Sequence, residues 1–259
     1  MKKTIRTAQK RKRLWRALSS AAAILFWILV WHIAASLANR KLLLKIPLPL
    51  GTLKTFFTDL GDPAFLLAAG TSVLHILAGY ISAVIIGILC GILAESSPFF
   101  RKLSAPLLHL IRSVPVAAFI FIAWLWIPSR ILPSFISALM VLPIIWSHAE
   151  AGLAAADVRY SEMGRVFGMT RRDIVLKIRL PLIAPHLRTG CITGLGIAWK
   201  SGVAAEVICN PVGSIGALLQ RGKTTIDYEE VFAVTLAVVL LSLLLENLLK
   251  FVWREDRYV

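Results

Sequence analysis

Lys200 stands between Trp199 and Ser201 in an otherwise apolar stretch, six residues before Glu206. An ammonium group at membrane depth costs about 2.5–3.5 kcal/mol on insertion scales, so such a residue marks a binding or pairing position. The chemistry it offers is capture of an anion, with Lys200 as the cation of a route shared with Trp199, Ser201 and Glu206. The alternative is an ion pair with Glu206. Residues six apart do not share a helix face, which favours a pair between two copies of the chain over one within a helix. Covalent chemistry finds less support. Glu150, Glu206 and Glu246 are dispersed, and Cys90, Cys191 and Cys209 have neither zinc-site nor disulfide spacing. Gly222-Lys223-Thr224 lacks the glycine that a phosphate-cradling loop needs at position 217, which is Ala217. The chain is therefore expected not to be an enzyme and to hold no metal.

The elements that must carry these residues are membrane spans. Of the 259 residues 58 % are hydrophobic and only 17 % charged, against about 25 % charged in soluble domains. Six apolar segments stand out, at roughly 19–38, 70–94, 106–127, 131–150, 189–209 and 230–252, each near the ~20 residues a spanning helix requires. The expected class is an all-α membrane protein. Its parts are a basic N-terminus (1–18), a first helix with its following loop (19–69), a core (70–252) and a short tail (253–259). The apolar run from Ser19 to Ala38 exceeds the ~7–15 residues of a signal peptide, so an uncleaved first helix is expected.

A net charge of +15 raises nucleic acid as a partner. The charges flank apolar segments instead of forming one stripe, which points to lipid. With the N-terminus cytoplasmic, 20 Lys/Arg fall on the cytoplasmic side and 7 on the other. That bias predicts both termini inside. Residues 39–69 then form an external loop with a short surface helix.

Smaller features carry weaker expectations. Arg112 is read as snorkelling at the inner boundary.

 Its long stem reaches lipid-facing depth while the head stays wet. Gly79, Gly87 and Gly91 lie at helical spacing and predict close packing against a neighbouring helix. Glu246 and Lys250 are placed for a pair at i, i+4, and Trp15, Trp124, Trp126 and Trp253 for interfacial belts.

The segment 151–188 is the longest cytoplasmic connection in this topology, and the spacing within its 157–188 loop is specific. Ser161-Glu162-Met163-Gly164-Arg165-Val166-Phe167 predicts a short amphipathic helix, and Gly168 a left-handed cap that ends it. Thr170, three before Asp173, is placed as the N-cap of a second helix through Arg179. Leu180-Pro181 and Pro185 are expected to punctuate the return to the membrane. Met163, Val166 and Phe167 would face a partner.

Here the chain resembles the inner-membrane permeases of ABC importers, whose loop reads E-A-A, three residues, G, nine residues, I-x-L-P. Glu162, Gly168, Ile178, Leu180 and Pro181 match at every interval, while Met163 and Gly164 replace the two alanines. From about Ser72 through Lys250 the pattern is similar to the nitrate/taurine/alkanesulfonate branch. It includes Arg112-Ser113-Val114-Pro115, Ala198-Trp199-Lys200 through Glu206, and Gly213-Ser214-Ile215-Gly216. The resemblance implies a type I importer fold of six transmembrane helices with a cytoplasmic coupling helix, in a bacterial inner membrane. It implies cytoplasmic ABC ATPase subunits that bind ATP and Mg, a second permease copy, and an extracytoplasmic substrate-binding protein. The cargo it implies is a small anion (nitrate, taurine or an alkanesulfonate). An organic heterocycle carried by the same machinery, or a stand-alone secondary transporter, is the alternative.

Overall fold

The computed structural model describes residues 2–41, 45–155 and 158–253; the tail beyond Trp253 and the side chain of Ser161 lie outside the described part. The order is α1 (Lys2–Lys41), α2 (Pro49–Asp59), α3 (Pro63–Ser96), α4 (Pro98–Ser113), α5 (Val116–Trp124), α6 (Leu132–Ala155), α7 (Val158–Val166), α8 (Arg171–Ile174), α9 (Leu180–Cys209), α10 (Ile215–Thr224) and α11 (Tyr228–Val252). Local chemistry sets many of these starts. Proline occupies the first turn of α2, α3 and α4, where its missing N–H has no helical partner to lose. Asp62, Ser97, Ser214 and Asp227 cap α3, α4, α10 and α11 through their side chains.

Among the described residues, five helices are long and apolar enough to cross a bilayer, and a sixth span is counted if α4 and α5 are taken together. That pair corrects the expectation of a continuous helix over 106–127. α4 and α5 meet at 104°. Pro115 is the cause: it drives the preceding Val114 into an extended conformation (φ −81°, ψ 132°), because a residue before proline avoids the helical region.

The core is three helices, α3, α6 and α9. Gly79 lies against Ser134, Gly87 against Ile145, and Gly91 against Ala149, so α3 and α6 run parallel along a seam of small residues. Gly202 meets Ser137, Gly194 meets Val141 and Gly190 meets His148, so α9 runs antiparallel to α6. Tyr80 Oη donates to the Cys191 carbonyl at 3.0 Å and ties α3 to α9. This arrangement puts α2 and α10 at one end of the core and α7–α8 at the other. α1 stands largely apart from the core in its apolar stretch, meeting α11 through Trp31 stacked on Phe232. Arg112 is exposed and also reaches a neighbouring helix. Its guanidinium donates to the Pro143 carbonyl at 2.9 Å and to Ser147 Oγ, fastening the α4–α5 corner to α6. Lys250 and Glu246 form their expected pair at 2.5 Å.

At the α2–α10 end, burial and then the charges of Asp62 and Asp227 push the Asp59 carboxyl above its ordinary 3.8. A raised carboxyl favours the folded state below the ordinary pKa and loses that contribution as pH rises through the folded value. Asp59→Asn is therefore expected to raise the unfolding temperature of the purified protein slightly at pH 7. The gain should vanish below about pH 4, where the native carboxyl is also neutral. Melting curves at both pH values check this.

Candidate functional site

The 158–179 segment folds as a hairpin at the end of the core opposite α2 and α10. α7 closes with Phe167 N–H donating to the Met163 carbonyl, Gly168 N–H to Arg165 (2.9 Å) and Met169 N–H to Gly164 (3.0 Å). Gly168 adopts φ +70°, the left-handed position that completes such a cap without a Cβ penalty. Thr170 then caps the second arm: its Oγ1 accepts from Asp173 N–H at 3.2 Å and donates to Asp173 Oδ2 at 2.6 Å. The spacing of Gly168, Thr170 and Asp173 thus becomes a tight reversal.

Gly164 has a reason that helix propensity does not supply. A Cβ there would sit 3.0 Å from both Ile174 Cγ1 and Ile178 Cδ1, so its absence lets α7 rest on the second arm. Away from that contact, described side chains at the end of α7 and just beyond it stand exposed. Met163 is 51 % exposed, Val166 84 % and Phe167 77 %, and Glu162 and Arg165 are exposed beside them. An apolar tip rimmed by charge is the anatomy of a protein-docking surface.

The second arm departs from expectation. Leu180-Pro181 does not end a helix. After α8 the chain makes a π turn over Val175–Arg179 and continues into α9 without interruption. Pro181 has no N–H for the Lys177 carbonyl and its ring crowds that position; a wider turn accommodates it. Ile178 lies in this turn, and Leu180 and Pro181 open α9. The hairpin is therefore joined directly to a core helix of 30 residues.

α9 carries the other candidates, and it separates them. Lys200 is exposed, on a face with Thr193 and Ile197, and lies toward the α10 end, nine residues from Cys209. None of the ion pairs among the described residues includes it. Its neighbours turn inward. Trp199 is buried and donates Nε1–H to the Val238 carbonyl at 3.0 Å, and buried Ser201 donates to the Ile197 carbonyl at 2.9 Å. The expected grouping of all four residues along one route is thus not what the packing provides; Lys200 alone faces open space.

Glu206 turns inward as well, and it forms no pair with Lys200 within the chain, in keeping with their spacing of six. Its side chain is 0 % exposed, and Oε2 accepts from Ser72 Oγ at 2.7 Å and from Gly216 N–H at 3.1 Å. Ser72 Oγ in turn accepts from Ile215 N–H at 2.9 Å. Residue-by-residue reading missed Ser72, which is 134 positions from its partner. The available signal was the Gly213-Ser214-Ile215-Gly216 motif, whose Gly216 amide donates to this carboxylate and whose Ile215 amide donates to Ser72 Oγ. Gly222-Lys223-Thr224 falls within the end of α10, not in a strand-to-helix loop.

Comparison with known proteins agrees with this geometry. Residues 83–254 match the family model described as binding-protein-dependent transport system inner membrane component. The chain is 27 % identical over 246 residues to the nitrate import permease protein NrtB of Synechocystis sp., covering 91 % of this chain and 88 % of that one. It is 26 % identical over 257 residues to the bicarbonate transport system permease protein CmpB of Synechococcus elongatus, covering 94 % and 91 %. A solved bacterial alginate ABC transporter, in complex with an alginate pentasaccharide-bound periplasmic protein, contains a chain of the same fold. The TM-score is 0.60 at 15 % identity, over 96 % of this chain and 97 % of that one. With the family model matched over residues 83–254 and a three-helix core of type I ABC importer architecture, this chain belongs to the family of binding-protein-dependent transport system inner membrane components.

Proposed function

We propose that the chain is the permease of an ATP-driven importer of small anions, working as two copies with two cytoplasmic ABC ATPase subunits. The observation that carries the coupling role is the bare Met163–Val166–Phe167 tip on α7, held by the Gly168 cap and fused through the π turn to α9. A rigid apolar knob on a core helix can pass motion from a partner into the bundle. ATP and Mg belong to that partner. The charge bias places the hairpin and both termini in the cytoplasm, and α2 and α10 outside, where a substrate-binding protein delivers cargo.

Lys200 supports the anion reading. It is a cation on an exposed face of a core helix, without a carboxylate partner among the described residues. The relatives named for nitrate and for bicarbonate import carry cargo of that charge. In a dimer the residue occurs twice around one route. Lys200→Met is expected to assemble normally and to lower uptake of radiolabelled nitrate or bicarbonate by roughly tenfold, about 1.4 kcal/mol in the transport barrier. Lys200→Arg should retain part of the rate. Wild-type uptake by an assembled Lys200→Met protein contradicts the role.

A further inference from the structure

Glu206 is one of few charged side chains in the core, and its geometry gives it work apart from substrate. It sits one turn before the C-terminus of α9, with its carboxylate at the N-terminus of α10. That end of α10 is not a surface feature: Ser214, Ile215 and Gly216 are all buried. The approach is close, since a Cβ on Gly216 would lie 2.2 Å from Glu206 Cβ and 2.6 Å from its carbonyl carbon. A single carboxylate oxygen collects the Ser72 hydroxyl from α3 and the Gly216 amide from α10, while the same hydroxyl takes the Ile215 amide. The partial positive charge at the start of α10 favours an anion there, and buried charge-assisted hydrogen bonds are the strong kind. Oε1 is buried and has no partner, so one oxygen makes the whole junction.

The other end of α9 is the π turn and the coupling hairpin. Thirty helical residues span about 45 Å, which makes α9 one rod between α10 and α7–α8. We infer that Glu206 is a positioning residue that latches α10 and α3 to the outer end of this rod, so that events at the outer face reach the coupling hairpin through α9. This rests on the importer reading for the meaning of "outer" and "coupling", while the latch rests on the geometry.

The test uses the assembled complex of permease and ATPase in nanodiscs, with Glu206→Ala, Glu206→Gln and Ser72→Ala. Two quantities are read: amide hydrogen exchange over residues 211–224, and the stimulation of ATP hydrolysis by loaded binding protein relative to the basal rate. Glu206→Ala is expected to speed exchange in that segment at least about tenfold, as loss of its charge-assisted bonds implies, while exchange along the α3–α6 seam stays unchanged. Stimulation should fall toward the basal rate. Glu206→Gln keeps an oxygen for both donors but loses the charge, so it should lie between wild type and Glu206→Ala in both readings. Ser72→Ala should lie between, and serves in place of Glu206→Ala if that variant does not assemble.

Wild-type exchange in both Glu206→Ala and Ser72→Ala, or a Glu206→Gln as loose as Glu206→Ala, overturns the latch. Faster exchange with full stimulation overturns the transmission role. Accelerated exchange in a system whose wild type shows no stimulation supports the latch and faults the importer reading, so the two failures are distinct.

Discussion

Aspartate at both Val166 and Phe167 is expected to abolish copurification of the ATPase subunits with the permease and, with it, ATP-driven uptake. Both side chains are more than three-quarters exposed on a capped helix, so the substitutions do not disturb the core that holds the hairpin. What they remove is the apolar payload of the proposed docking surface. An aromatic anchor at such a centre is worth about 2 kcal/mol or more, roughly thirtyfold in affinity. An aspartate placed in a desolvated pocket adds a charge with nothing to pair it. The milder Phe167→Ala should weaken association by about that thirtyfold without abolishing it. Affinity of detergent-solubilised permease for its ATPase, read by titration, checks both. An unchanged affinity in the double variant removes the hairpin from the interface.

Gly79→Ala is expected to damage the fold itself. The added Cβ would lie 2.1 Å from the Ser134 carbonyl oxygen and 2.8 Å from its carbon. Those atoms are backbone, which cannot rotate away as a side-chain end can. α3 and α6 must therefore separate along a seam that also holds Gly87 and Gly91. Overpacking of this kind costs about 1–3 kcal/mol and at times more, and here it adds strain to the core pair that carries the bundle. Reduced yield of monodisperse protein and a clearly lowered melting temperature are the expected results. Gly70→Ala is the control on the same helix: its Cβ meets nothing within 4 Å, and alanine is the better helix former by about 1 kcal/mol. Equal behaviour of the two variants contradicts the close-packed seam.

Features encoded locally were legible in the sequence. The hairpin is one: a left-handed glycine at 168 and a threonine three before an aspartate are signals carried by adjacent residues, and the structure has both. The glycine spacing of α3 likewise announced a helix seam. What was not legible depended on geometry beyond the local chain. The apolar run through 106–127 hid a corner because hydropathy does not register direction, although Pro115 marked the place. Pro181 and Pro185 read as stops, yet α9 carries both, since the π turn before Leu180 absorbs the first. Gly164 replaces an alanine of the family loop, and only the fold shows why: Ile174 and Ile178 leave no room for a Cβ there. Glu206 was read with Lys200 as part of one route, whereas its hydrogen-bond partners come from α3 and α10.

The most direct test of the importer reading is uptake by proteoliposomes that contain the permease with its ATPase, under loaded binding protein and radiolabelled nitrate or bicarbonate. Accumulation is expected to require ATP with the ATPase side, to require the binding protein on the opposite side, and to stop in the Val166, Phe167 double-aspartate variant. Accumulation by the permease alone, driven by an ion gradient without ATP, contradicts the account.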